Sequence, residues 1–269
     1  LQGRSQLVPP DNVLIYDCVL DAAHEWVHWK LHVPAFTYPA PPAPPPRYHS
    51  LLVPTVDNVR TEFLINLVAK QGQGVLLVGE PGTAKTVTIQ KYLSVQTAEV
   101  VAKVMTFSSA TTPYIFQTTM ESYVEKISGN SYGPPPGRRM LIFVDNINMP
   151  EINEWGDQET NEIMRQFVEE KGFYNLAKGG SEWISISSVQ LLAAMNHPGA
   201  ASNDIPNRLK RHFVVFDVPM PSVQSIELIY QQIVTGHYCR ERGFLEEVVE
   251  TAATLPTLTH CLWDVTKAR

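Results

Sequence analysis

The sequence predicts an α/β fold built on a parallel sheet and followed by the start of a small helical subdomain. Short apolar runs, of the kind that form strands buried on both faces, alternate along the chain with segments of helical period. A turn that contains glycine joins the first of these runs to the helix after it. Strands that alternate with helices at this spacing favour a parallel sheet, because each helix carries the chain back along one face.

The predicted strands are these apolar runs. Val75–Val78 and Met140–Val144 are continuously apolar, which is typical of strands at the centre of a sheet. The segment 183–188 is predicted as an inserted hairpin arm. The full set of predicted strands is 75–78, 104–107, 140–145, 189–195 and 213–218.

The predicted helices are segments whose apolar residues recur every three or four positions. Val59, Phe63 and Leu67 have this spacing before the first strand, and Phe116, Met120, Tyr123 and Ile127 have it after the second. The full set of predicted helices is 59–68, 85–93, 116–127, 163–168, 226–233 and 245–252.

The first 46 residues differ from the rest. Residues 1–38 are irregular apart from one strand-like apolar run, Val13–Leu20, and Pro39–Pro46 is dominated by proline. Such a run favours an extended backbone, so we interpret it as a stiff linker or surface loop, with an SH3-type ligand as the alternative. We therefore expect an extension over 1–46, a large α/β subdomain over 47–219, and an incomplete helical subdomain over 220–269.

Composition excludes several classes of protein. Of the 269 residues, 44% are hydrophobic and 18% charged, which is enough for a sizeable core. The formal net charge of −6 argues against a nucleic-acid binder, and no stretch reaches the ~20 apolar residues that cross a bilayer. The three cysteines lack CxxC spacing, so we expect reduced thiols and a cytoplasmic protein. Because the chain starts at Leu1, we expect it to be a piece of a longer one.

The turn after the first strand predicts a phosphate site. Its sequence fits the P-loop pattern GxxxxGK[ST] except that Ala84 replaces the second glycine. We expect Ala84 to have a negative φ, whereas Gly82 lies in the bend and needs glycine. The N–H groups of such a loop bind phosphate oxygens at the start of a helix. The residues predicted to hold the nucleotide are Gly79, Pro81, Gly82, Thr83, Ala84, Lys85 and Thr86.

A carboxylate predicts the metal site. Asp145 ends a buried strand and, with Thr86, would hold Mg²⁺ beside the phosphates. The next residue is Asn146, where many hydrolytic relatives carry glutamate. An amide has no useful basicity at neutral pH, so it orients water without taking its proton. The sequence therefore predicts a site that holds nucleotide better than it hydrolyses it.

Two further polar positions complete the predicted site. Asn196 follows a central strand, where an amide can contact the terminal phosphate or the attacking water. Arg208 and Arg211 precede the last strand, where an arginine can reach the site of a neighbouring subunit. A solvated basic turn is the alternative for the two arginines.

These motifs, in this order, resemble the AAA+ ATPases, whose large subdomain is a P-loop three-layer α/β sandwich. The segments Val144–Pro150, Ile152–Gln158, Gly172–Leu176, His197–Gly199 and Asn203–Pro206 are similar to axonemal dynein heavy chains, most of all to the third module of an outer-arm chain. The resemblance implies a ring of six unequal modules that moves on microtubules in cilia, with other modules of the same chain, microtubules and other dynein subunits as partners.

The same resemblance implies roles for individual residues. ATP or ADP would be bound with Mg²⁺: Lys85 and Thr86 correspond to Walker A, Asp145 to Walker B and Asn196 to sensor 1. Arg208 or Arg211 would be the arginine finger. Val53 and Pro54 match the loop that flanks the adenine.

Three alternatives remain at this point. The first is a fully active ATPase in which a carboxylate such as Glu151 replaces the missing base. The second is a structural module whose P-loop is empty. The third is a zinc protease, because His24-Glu25-Trp26-Val27-His28 matches HExxH, a pattern that works on a helix.

Overall fold

A computed structural model describes residues 14–21, 23–41, 44–47, 51–180, 182–199 and 202–267. The chain divides into two compact units. One comprises residues 61–220, and the other comprises residues 1–60 together with 221–269. None of the helices in the described residues is both long enough and apolar enough to cross a membrane.

The α/β unit and the flanking segments contain the following elements. The strands are β1 (Cys18–Leu20), β2 (Trp26–His28), β3 (Gly74–Val78), β4 (Val100–Thr106), β5 (Glu125–Ser128), β6 (Ser131–Gly133), β7 (Arg139–Asp145), β8 (Gly172–Tyr174), β9 (Trp183–Ile186), β10 (Val189–Met195) and β11 (Phe213–Asp217). The helices are α1 (Val56–Ala69), α2 (Lys85–Ser94), α3 (Pro113–Tyr123), α4 (Glu159–Glu170), α5 (Asn207–Lys210), α6 (Val223–His237) and α7 (Glu246–Lys267).

The main sheet has five parallel strands in the order β11-β3-β10-β7-β4. The predicted parallel α/β sheet is therefore confirmed. In the register of the sheet, Val78 at the end of β3 lies opposite Met195 of β10, and Asp145 at the end of β7 lies opposite Ala194. The carboxyl ends of these three neighbouring strands consequently meet at one edge of the sheet.

Helices cover both faces of this sheet, because its central strands are apolar on both sides. On one face, Ile65 of α1 and Ile89 of α2 are fully buried against the strands. On the other face, α3 and α4 contribute to a cluster of aromatic rings, with Phe116 in edge contact with three others. These rings are Phe107, Phe167 and Phe173. The result is a three-layer arrangement of helices, sheet and helices.

A second, smaller sheet differs from the prediction. The predicted helix over 116–127 ends at Tyr123, because Val124 is extended with φ −112°, and Ile127 lies in β5. Its spacing from Tyr123 suits a helix, but Ile127 is largely exposed. The predicted arm at 183–188 supplies β9, which pairs antiparallel with β8 and parallel with β6. The order of the four strands is β5-β6-β9-β8.

The first part of the other unit is a short hairpin. Strands β1 and β2 pair antiparallel, with Cys18 opposite His28. Of the predicted run 13–20, Val13 lies outside the described residues, residues 15–17 form a 3-10 turn, and only the last three residues form a strand. His24 has a positive φ of 63° in the turn, and His28 ends β2. The zinc-protease alternative is wrong, because it needs both histidines on one helix.

The residues around the start of the proline run contact the first helix after the α/β unit. The Tyr38 hydroxyl lies 3.2 Å from Nδ1 of His237, and the Arg242 guanidinium donates to the Pro39 carbonyl at 2.5 Å. A Cβ on Gly236 would come within 2.4 Å of the Tyr38 Cβ, so only glycine lets the two segments approach this closely. Residues 42 and 43 of the run lie outside the described residues.

We predict that Phe116→Ala lowers the free energy of unfolding by about 3–5 kcal/mol, because it leaves a cavity among three aromatic rings. Tyr114→Ala is the matched control on the same helix, since Tyr114 is 56% exposed. We expect the control to change stability by no more than about 0.5 kcal/mol. Urea unfolding of the two variants measures both values, and similar losses would contradict this view of the core.

Candidate functional site

The turn between β3 and α2 requires glycine at two positions for different reasons, lack of space at one and backbone torsion at the other. A Cβ on Gly79 would lie 2.4 Å from the carbonyl oxygen of Val218, so this position has no room for a side chain. Gly82 has open space around it but a φ of +87°, a conformation that other residues adopt only with strain. Pro81, beside it, is exposed. The prediction that Gly82 needs glycine agrees with this geometry.

The backbone conformation of Ala84 differs from the one predicted from the sequence. Its φ is +63° and its ψ is 18°, so its backbone is left-handed, whereas a negative φ was predicted. The position is the N-cap of α2, and the cap residue lies outside the helical torsions. The methyl group of Ala84 therefore carries a backbone strain that the glycine of the common pattern avoids.

The side chain of Lys85 folds back into the turn. Its Nζ donates to the carbonyls of Gly79 at 2.8 Å and Glu80 at 2.7 Å, and lies 3.3 Å from the Thr83 hydroxyl. Burial lowers the pKa of the Lys85 ammonium, and the Asp145 carboxylate opposes part of that shift. The loop thus holds a buried cation close to the backbone N–H groups of the turn. Both the cation and the N–H groups attract an anionic phosphate.

Thr86 and Asp145 come together as predicted. The Thr86 hydroxyl donates to Oδ2 of Asp145 at 2.9 Å, although the two residues are 59 positions apart. A hydroxyl and a carboxylate at this separation are oxygen ligands of the type that Mg²⁺ prefers. The donor set therefore fits a magnesium ion next to the phosphate loop.

Asn146 follows Asp145 in a left-handed turn with φ +58°. Its N–H donates to Oδ1 of Asp145 at 3.1 Å, and its carbonyl accepts from the N–H of Met149 at 3.0 Å. Asparagine tolerates this conformation better than most residues, because its short side chain can bond to the local backbone. Glutamate lacks that advantage, so the backbone gives a second reason for the amide here.

Asn196 lies just after a central strand, as predicted. It follows β10, and its Oδ1 accepts from the Lys85 ammonium at 3.3 Å. The cluster of Lys85, Thr86, Asp145 and Asn196 thus draws on the carboxyl ends of three adjacent strands.

Sequence reasoning missed Asn148. This amide is 1% exposed, and its Nδ2 donates to the carbonyls of Asn196 at 3.4 Å and Asn203 at 2.9 Å. In the sequence, a polar residue between the apolar Ile147 and Met149 could have indicated a buried amide. A buried amide needs hydrogen-bond partners. Those partners lie 48 and 55 positions away, and the sequence does not identify them.

The two arginines lie away from this cluster. Both precede β11, whose first residue, Phe213, lies opposite Gly74, and the phosphate loop follows the other end of β3. Arg211 forms an ion pair with Glu169 of α4. Arg208 is exposed and lies along a groove beside α4, with no ion pair among the residues that the structure describes.

Val53 and Pro54 belong to the other unit, just before α1. The Val53 carbonyl accepts from Nδ2 of Asn58 at 3.5 Å, and Thr55 bonds to the N–H groups of Asn58 and Val59 at the start of the helix. These bonds fix the turn that carries Val53 and Pro54.

Comparison with protein families matches residues 40–221 to the P-loop containing dynein motor region. Dynein axonemal heavy chain 5 of Rattus norvegicus is 51% identical over 98% of this chain and 8% of its own length. Dynein axonemal heavy chain 8 of Mus musculus is 48% identical over 95% of this chain and 5% of its own. The dynein gamma chain of the flagellar outer arm of Chlamydomonas reinhardtii is 48% identical over 96% and 6%. The chain spans less than a tenth of each relative.

We predict that Ala84→Gly raises the free energy of unfolding by about 1 kcal/mol, because glycine adopts a positive φ without strain. Gly82→Ala is the reciprocal change in the same loop and should lower it by about the same amount, since only the torsion opposes the methyl group. Urea unfolding measures both. A loss of stability in Ala84→Gly would contradict the strain at this position.

Proposed function

The chain belongs to the family of P-loop containing dynein motor regions, and from that premise we propose that it is a nucleotide-binding AAA+ module of an axonemal dynein heavy chain. One observation carries the proposal: the buried ammonium of Lys85 lies in the turn between β3 and α2, beside the 2.9 Å contact between Thr86 and Asp145. This is the arrangement of cation, hydroxyl and carboxylate that a magnesium-bound nucleotide needs.

Each residue of the cluster has a role in holding ATP or ADP. The N–H groups of the loop from Gly79 to Thr86 and the positive end of α2 bind phosphate oxygens. The Lys85 ammonium turns from the loop carbonyls toward the phosphates, which are stronger acceptors because they are charged. Thr86 and Asp145 would hold Mg²⁺, directly or through water, and the bound ion would supply positive charge beside the phosphates.

The module holds nucleotide better than it hydrolyses it. Asn146 occupies the position after Asp145 and cannot take a proton from water, and a general base is worth roughly 10²–10⁴ in rate. Nucleotide binding is unaffected, because neither the phosphate loop nor the metal pair includes Asn146. The module therefore regulates a microtubule motor through the nucleotide it retains.

The names of the relatives support a wider context for the module. Their names place them in the axoneme and in the flagellar outer arm, and this chain works in the cytoskeleton of a cilium or flagellum. It is the third module of the motor ring, and its partners are the neighbouring modules, microtubules and other dynein subunits. Arg208 is the better candidate for the finger directed at a neighbouring site, because Arg211 is already paired with Glu169.

We predict that Lys85→Ala abolishes nucleotide binding at this site, since it removes the only cation that contacts the phosphate loop within the described residues. The measurement is photolabelling of the full-length heavy chain with an azido-ATP, followed by quantification of labelled peptides from residues 51–94. Lys91→Ala is the control, because Lys91 lies on the same helix and its half-buried ammonium pairs with Glu62. Equal labelling of the unaltered chain and Lys85→Ala would refute the proposal and favour a structural module.

We predict that Asn146→Glu raises MgATP hydrolysis by the full-length heavy chain, by up to about 10²-fold at this site, because it supplies the missing base. Asn146→Gln is the matched control: it has the length and backbone cost of glutamate without its basicity. A steady-state phosphate-release assay compares the two variants. If both have the rate of the unaltered chain, the role assigned to the amide is wrong.

A further inference from the structure

We propose that Asn148 is a positioning residue that holds Asn196 against Lys85 and thereby lets the site distinguish ATP from ADP. The inference rests on the proposed function of the module. It starts from a buried amide that contacts no predicted ligand atom, yet bonds to the backbone of a residue that does contact Lys85.

The orientation of the Asn148 amide is fixed by its neighbours. Two carbonyl oxygens, those of Asn196 and Asn203, lie 3.4 and 2.9 Å from Nδ2. Only the NH₂ end of the amide can face two acceptors, so the side chain has one orientation. Asn148 is 1% exposed, and losing its amide removes a donor from two part-buried carbonyls.

These bonds hold the backbone of Asn196 from one side. On the other side, the Met195 carbonyl accepts from the N–H of Gly79 at 3.3 Å, which ties the end of β10 to the phosphate loop. Asn196 is thus held between Gly79 and Asn148, and its Oδ1 points to the Lys85 ammonium at 3.3 Å. A displaced backbone at Asn196 would remove one acceptor from that ammonium.

Asn148 itself sits in a well-anchored segment. The N–H of Ile147 donates to the carbonyl of Ala194 at 3.2 Å, and the Pro150 carbonyl accepts from Asn203 at 3.0 Å and Gln158 at 3.3 Å. Asn148 therefore lies in an anchored segment after β7, and its amide bonds to the first and the last residue of the segment 196–203. That segment leads to α5 and Arg208.

The expected effect is selective. The P-loop lysine reaches the β- and γ-phosphates, so the contact between Lys85 and Asn196 lies at the end of the site that the terminal phosphate occupies. ADP lacks that phosphate. Loss of the Asn148 bonds should therefore weaken the binding of ATP more than that of ADP. A general loss of packing would weaken the binding of both nucleotides equally.

The test is competition of photolabelling at this site in the full-length heavy chain by unlabelled ATP and by ADP. We expect Asn148→Ala to weaken competition by ATP about fivefold, as for one neutral hydrogen bond, with that by ADP nearly unchanged. Gln117→Ala is the control, because Gln117 is an equally buried amide that bonds to Asn175 and Leu176 instead. Its ratio of the two affinities should change by less than about twofold.

The outcomes separate the two proposals. Saturable labelling with an unchanged ATP-to-ADP ratio in Asn148→Ala overturns the role of Asn148 and leaves the nucleotide site intact. If Asn148→Ala loses all labelling, Asn148→Ser, which leaves a smaller cavity but reaches fewer partners, decides: an equal loss for both nucleotides overturns the inference, and a selective loss of ATP supports it. If the unaltered chain shows no labelling that Lys85→Ala removes, the proposed nucleotide-binding function is wrong.

Discussion

The ammonium group of Lys85 is a buried positive charge, and a buried cation is stable only when oxygen atoms replace its lost water. The loop from Gly79 to Thr83 provides two carbonyls and a hydroxyl within 3.3 Å of it. The turn that brings these oxygen atoms to the ammonium includes two residues in the left-handed region, Gly82 and Ala84. Glycine adopts a positive φ without strain, whereas the methyl group of Ala84 makes the same region unfavourable.

The register of the parallel sheet brings the remaining groups to this cation. Because β3, β10 and β7 are neighbours and run in one direction, the residues that follow each strand lie side by side at one edge. That register puts the Asp145 carboxylate beside Thr86 and the Asn196 amide beside Lys85. A shift of one residue in β7 would turn Asp145 to the other face of the sheet and remove its contact with Thr86.

The features that the sequence predicts well are those whose signal is local. The five strands of the main sheet are apolar runs, and the phosphate loop is a pattern of adjacent residues. The strands β5, β6 and β8 have three or four residues each and exist through pairing with distant partners, so no run marks them. The torsions of Ala84 and Asn146 are equally hidden, because a residue type limits φ without fixing it. The ion pair that distinguishes Arg211 from Arg208 also spans distant positions.

The contact between Tyr38 and His237 has a mechanical consequence. The two residues are 199 positions apart, and both belong to the unit that comprises residues 1–60 and 221–269. Tension applied to the chain before Tyr38 and after Arg242 would load the Tyr38, Gly236 and Arg242 contacts, because the strands of the main sheet lie between these residues in the sequence. A crosslink of this kind carries a pull applied to the two ends of the chain, so residues 39–236 bear that pull only after these contacts have broken.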